Sequence, residues 1–199
     1  MTAHWKPNRP ENDSKNSNEM VLPEIKLQIS APTEPLVSGR GFYQLEEDAL
    51  YVQVAPFTSS RRFFSYLESE HIRFDIDRQG RLIFIEVCIP RRQWPVNDNL
   101  TVPENTELAD IRWLDFRSQI EEPNLVTDQR HTQLLIRYPD VPLSRNFLIA
   151  ESIVVQVDEQ DNLAAIFIGD IVDDIAGQEI ATFRKRIRGR EQFFEQSVT

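Results

Sequence analysis

One cysteine, Cys88, among 199 residues excludes an internal disulfide, so packing and hydrogen bonding alone must hold the fold. Only six glycines are present, and none of them builds a glycine-rich loop able to cradle phosphate. The three histidines, His4, His71 and His131, stand far apart, without the His-x-His or His-x-x-His spacing of a transition-metal site. No apolar run approaches the roughly 20 residues that span a bilayer. The polar N-terminus also lacks the apolar stretch of a secretory signal. These absences predict a cytoplasmic protein that does not enter a membrane. Cys88 itself lies in the apolar stretch 83–89 and reads as a small buried hydrophobe, not a reactive thiol.

Basic charge is scarce too. Lys and Arg number 22 against 32 Asp and Glu, a net charge of −10. Phosphate-rich nucleic acid demands the opposite balance, which argues against it as a partner. Five of the 22 basic residues crowd into one short stretch, Arg184, Lys185, Arg186, Arg188 and Arg190. The remaining body is more acidic still, which suits solubility and a basic partner.

What the chain has in quantity is hydrophobic and aromatic bulk, 40% and 10% of its residues, enough for a packed core. Much of it falls into one pattern that occurs twice. Ser60-Arg61-Arg62-Phe63 is echoed 84 positions later by Ser144-Arg145-Asn146-Phe147. The strand–turn–strand 72–87 then aligns with 153–168 at a spacing of 81. Ile72, Asp77, Gln79, Leu82 and Ile85 recur there as Ile153, Asp158, Gln160, Leu163 and Ile166. In each copy alternating apolar residues predict strands, and a polar cluster (77–81 or 158–162) predicts the turn.

This organisation predicts five segments. Residues 1–20 are polar and read as disordered. Residues 21–89 form a first β unit, 90–131 a Pro- and acid-rich connector, and 132–170 a second β unit. Residues 171–199 carry a helix and tail, with Ala176, Ile180, Phe183 and Ile187 on one face and Gly189 at its end. The expected class is α+β, mainly antiparallel β. Two β-meander units would be related by a pseudo-two-fold axis, with the C-terminal helix packed on a sheet face or seam.

Tyr43-Gln44-Leu45-Glu46-Glu47-Asp48-Ala49-Leu50-Tyr51-Val52, followed by Asp75-Ile76-Asp77-Arg78-Gln79-Gly80 and Phe84-Ile85-Glu86-Val87, resembles a short prokaryotic domain family of unknown function. The family's hallmark is Tyr-Asp-x-x-x-Asp-x-Leu-Tyr-[Ile/Val], then an Asp-x-Asp-x-x-Gly turn and a Gly-Ile-Glu-[Ile/Val] strand. Gln44 and Phe84 depart from it, and the second unit keeps only the hairpin. The resemblance implies a small antiparallel sheet and no known activity. Some members of the family look like partners of small toxins, so it points to binding.

Three patterns invite chemistry. Asp75, Asp77, Gln79 and Glu86 have the oxygen spacing of a calcium-binding loop, but the strand periodicity around them fits a hairpin turn better. Arg61 and Arg145, equivalent under the motif, could grip an anion or pair with carboxylates. Arg184, Lys185, Arg186 and Arg188 could dock an acidic partner, or offset a helix macrodipole at about 0.3–1 kcal/mol each. No catalytic signature stands out and no cofactor is implied. The leading expectation is a non-catalytic binding module with a protein partner. The competing class is a small hydrolase using scattered carboxylates and His71.

Overall fold

Side chains along a strand point alternately to its two sides, so apolar residues at every second position give one buried row. The longer of the fifteen strands among the described residues bury such rows. The computed structural model describes residues 24–55 and 61–175, together with residues 177, 179 and 181. In chain order the strands are β1 (Leu27–Ser30), β2 (Arg40–Gln44), β3 (Ala49–Gln53), β4 (Phe63–Glu68), β5 (Ile72–Asp77) and β6 (Leu82–Val87). There follow β7 (Thr106–Leu108), β8 (Asp110–Trp113), β9 (Ser118–Gln119), β10 (Asn124–Thr127) and β11 (Leu134–Arg137). The last four are β12 (Arg145–Ala150), β13 (Ile153–Val157), β14 (Leu163–Ile168) and β15 (Val172–Asp173). A 3-10 turn, Arg91–Gln93, joins the two halves. The segment 90–131 thus holds that turn and strands β7 to β10.

The strands make a seven-stranded sheet ordered β15-β2-β3-β6-β5-β4-β9, a six-stranded sheet ordered β10-β11-β14-β13-β12-β7, and a two-stranded ribbon of β1 and β8. The two large sheets share a plan. β2-β3-β6-β5-β4 in one corresponds to β10-β11-β14-β13-β12 in the other, and the registers correspond as well. Leu50 faces Val87 as Leu134 faces Ile168, and Ile72 faces Val87 as Ile153 faces Ile168. Corresponding inward residues meet in one core. Leu50, Val52, Phe74 and Ile85 from the first sheet lie there with Leu134, Ile136, Val155 and Ile166 from the second, all fully buried. The central strands β13 and β14 are buried along their whole length, which their runs of Ile, Val, Ala and Phe allow.

The segments flanking each meander cross over. β1, which precedes the first meander, donates its Leu27 N–H to Asp161 C=O in the second sheet's hairpin turn. β8, which precedes the second, donates Trp113 N–H to Gly80 C=O in the first sheet's turn. After β6, Val96 pairs in parallel with Thr127 of the second sheet; after β14, β15 pairs in parallel with β2 of the first. Each half therefore completes the other's edges.

The α+β expectation is corrected here. Strands make up 48% of the described residues and helix 3%, so the described fold is nearly all β. Among the described residues no C-terminal helix packs beside the sheets. Ile171 instead enters the core, Ile171 N–H bonds Thr132 C=O, and Asp174 N–H bonds Tyr43 C=O, which hold this stretch extended as β15. The basic stretch beyond it lies outside the described residues, as does the segment 1–20. Among the described residues no helix is long and apolar enough to cross a membrane.

Candidate functional site

Register separates the two arginines that the motif aligned. Arg145 faces Val157, and Ser65 faces Ile76, the counterpart of Val157. Arg145 thus corresponds to Ser65 and not to Arg61. The Arg145 guanidinium pairs with Asp161 and lies 5.4 Å from the centroid of the Phe147 ring. Arg61 is elsewhere, in a chain of charges beside a cleft. It donates to Glu34 at 2.8 Å, Arg81 donates to the other oxygen of Glu34 at 2.9 Å, and Arg81 Nε donates to Asp77 at 2.8 Å. Arg61's hydrogen bond, followed by the other arginine contacts, outweighs partial burial and holds the Glu34 carboxyl below the usual range. The cleft lies between the strap 32–37 and β8, and its cavity volume is only about 60 Å³. Arg184, Lys185, Arg186 and Arg188 lie outside the described residues.

The calcium-loop pattern resolves into a turn. Asp77 Oδ1 accepts the N–H groups of Gln79 and Arg81, and Oδ2 accepts Arg81 Nε. Asp158 does the same for Gln160, Asn162 and the Asn162 side chain. Gly80 (φ +80°) and Asp161 (φ 63°) occupy the matching left-handed position. Asp75 pairs instead with Arg73 at 2.8 Å, and Glu86 accepts the Cys88 thiol at 3.7 Å. These oxygens serve different partners and do not converge. Among the described residues no group of three or more His, Cys, Asp or Glu is placed to hold a metal.

Cys88 is exposed, which corrects the expectation of a buried thiol: β6 ends at Val87, and the next side chain faces outward. His71 stands at the β4–β5 turn, with Nδ1 3.4 Å from Glu122 and Nε2 3.9 Å from Glu70, and it does not line the cleft. In the family-like stretch Tyr43 donates its hydroxyl to Asp48 at 3.0 Å and Tyr51 to Glu47 at 2.6 Å. Both bonds brace the β2–β3 turn.

The feature that residue patterns did not single out is an aromatic surface on the outer edge of the first sheet. Phe63, Phe64 and Phe116 are 42%, 44% and 41% exposed. Phe64 and Phe116 meet edge to face at 5.9 Å. Arg78 lies 5.6 Å from the Phe64 centroid, while Arg73 sits 4.4 Å from Tyr66 and 5.7 Å from Phe63. β4 carries a bulge between Phe63 and Ser65, which shifts Phe64 out of the alternating pattern. Arg117 N–H donates to Tyr66 C=O and fixes Phe116 beside this strand. The second sheet has no such surface, because Asn146, Val154 and Glu159 replace Tyr66, Arg73 and Arg78. The sequence signal was two Phe-Arg clusters, 61–64 and 116–117, about fifty residues apart, that only the β4–β9 pairing brings together.

No protein-family profile matches the chain, and no characterised protein matches it.

Proposed function

We propose that the protein is a non-catalytic binding module that recognises a protein partner through the aromatic surface on β4 and the Phe116 segment. The observation that carries this reading is the exposure of Phe63, Phe64 and Phe116, each more than 40%, with Phe64 against Phe116, Arg73 over Phe63 and Arg78 over Phe64. Leaving about two-fifths of each ring in water forgoes a comparable share of the about 1.5–3 kcal/mol that full burial would bring. Phenylalanine and arginine are also the side chains enriched at protein interfaces. The cleft gives less support to an enzyme, because its cavity is far below the roughly 300–1,000 Å³ of a small-molecule site.

Affinity capture compares the native protein with the F63A/F64A/F116A variant, after thermal melting has shown that both are folded. A partner retained by the first and lost by the second supports the reading. An identical set of captured proteins from both removes this surface from consideration.

A further inference from the structure

The charges around the aromatic surface narrow the partner. The protein carries ten more negative than positive side chains, so an arginine should find a carboxylate within its own chain. Most do: Arg61, Arg73, Arg81, Arg91, Arg92, Arg112 and Arg145 are all ion-paired. Arg40, Arg62, Arg78, Arg117, Arg130 and Arg137 are not, among the described residues, and three of these, Arg62, Arg78 and Arg117, are exposed and adjoin the aromatic surface. Arg62 precedes Phe63, Arg117 follows Phe116, and Arg78 stacks on Phe64.

We infer that the surface takes an acidic peptide segment bearing apolar anchors, whose carboxylates meet Arg62, Arg78 and Arg117 while its apolar side chains cover Phe63, Phe64 and Phe116. This rests on the reading of the same surface as a recognition site. Guanidinium forks bind carboxylates with two parallel hydrogen bonds, and stacking on an aromatic face holds the fork ready. The surrounding negative charge would repel an acidic ligand that strayed from the patch, which confines it to one register. Nucleic acid fits less well. Three cations release few counterions, and the rest of the surface repels a phosphate chain.

A phage-displayed random peptide library selected against the full-length protein tests the assignment. The expected result is enrichment of sequences in which Asp and Glu alternate with aromatic or aliphatic residues. A synthetic peptide of that consensus should bind with a Kd raised at least about tenfold by R62E/R78E/R117E, and also by F64A/F116A, with affinity falling as salt rises. Melting curves check that both variants stay folded. Enriched peptides that depend on Phe64 and Phe116 but are basic or uncharged would overturn the acidic-partner inference and leave the recognition surface standing. No enrichment, or peptides indifferent to F64A/F116A, would overturn both. Tighter binding of polyuridylate than of the acidic consensus would assign the arginines to nucleic acid instead.

Discussion

Leu27 and Trp113 face each other across the β1–β8 ribbon, and each donates its amide N–H to the turn of a different hairpin. Trp113 reaches Gly80 C=O at 2.7 Å, and Leu27 reaches Asp161 C=O at 3.0 Å. The ribbon is thus a clasp at the centre of the pseudo-symmetry, holding one turn on each side.

Gly80 is the tighter side of that clasp. Its φ is +80°, and an added Cβ would lie 2.5 Å from the Trp113 carbonyl oxygen, which is backbone and cannot swing away. Gly80→Ala should therefore cost about 2–4 kcal/mol in urea unfolding. Asp161 holds the matching left-handed conformation without glycine, so Asp161→Gly should change stability by no more than about 1 kcal/mol. Equal effects from the two substitutions would refute the close approach.

The two turn aspartates should differ in the same sense. Asp158→Ala removes acceptors from two backbone N–H groups and the Asn162 amide, at about 1–3 kcal/mol. Asp77→Ala also removes a carboxylate from Arg81, whose side chain is only 7% exposed, and should cost about 3–5 kcal/mol. The comparison is made by chemical unfolding, and a smaller loss at Asp77 would show that the Arg81 pair adds nothing.

Acid should destabilise the fold. Arg61 and Arg92 chiefly hold the Glu34 and Asp48 carboxyls below the usual range. Burial pushes Asp128 and Asp158 upward, but the N–H groups of Gln133 and Thr132, and of Asn162 and Gln160, outweigh it and bring both below. Each folded pKa is thus below its unfolded value, so the stability contributed is complete above about pH 4 and is lost as pH falls through the folded values. Asp75 has the opposite sign: burial raises it despite Arg73, so it favours the folded state as pH drops. Four groups against one predict a urea midpoint that is level near neutrality and falls below about pH 4. A midpoint that rose on acidification would mean Asp75 dominates.

Cys88 is accessible but should be sluggish. Desolvation, then the neighbouring Glu86, pushes its thiol up to about 11. At neutral pH the thiolate is scarce, so iodoacetamide should react about a hundredfold more slowly than with an ordinary cysteine of pKa about 8.5. The rate should climb about tenfold per pH unit through the mildly alkaline range, and Glu86→Gln should raise it. A plateau near pH 8 would contradict this environment.

The hairpins 72–87 and 153–168 were legible because their cores alternate in the sequence and Asp77 and Asp158 mark their turns. The equivalence of 61–63 with 145–147 was not a structural one. Phe147 faces Val155 as Leu67 faces Phe74, so Phe147 is a core residue 4% exposed, whereas Phe63 is 42% exposed. Identical letters there carried no information about register, which the pairing with the next strand decides. Thr106–Leu108, Ser118–Gln119 and Val172–Asp173 are too short to show any period, and they are strands only because a distant edge accepts them. The aromatic surface was hidden for the same reason. Its Phe64 stands at a bulge, and its Phe116 arrives from another segment.

The crossing of flanking segments also sets an order of events during synthesis. The β2 edge, Phe42 and Tyr43, waits for Val172 and Asp173, and Val37 waits for Ala150 at the end of β12. A ribosome extruding the first half therefore releases a sheet with open edges and a core face whose partner does not yet exist. Closure of such distant pairings is slow, and the exposed strands invite pairing with other nascent chains. Only when β15 has emerged can the described sheets close.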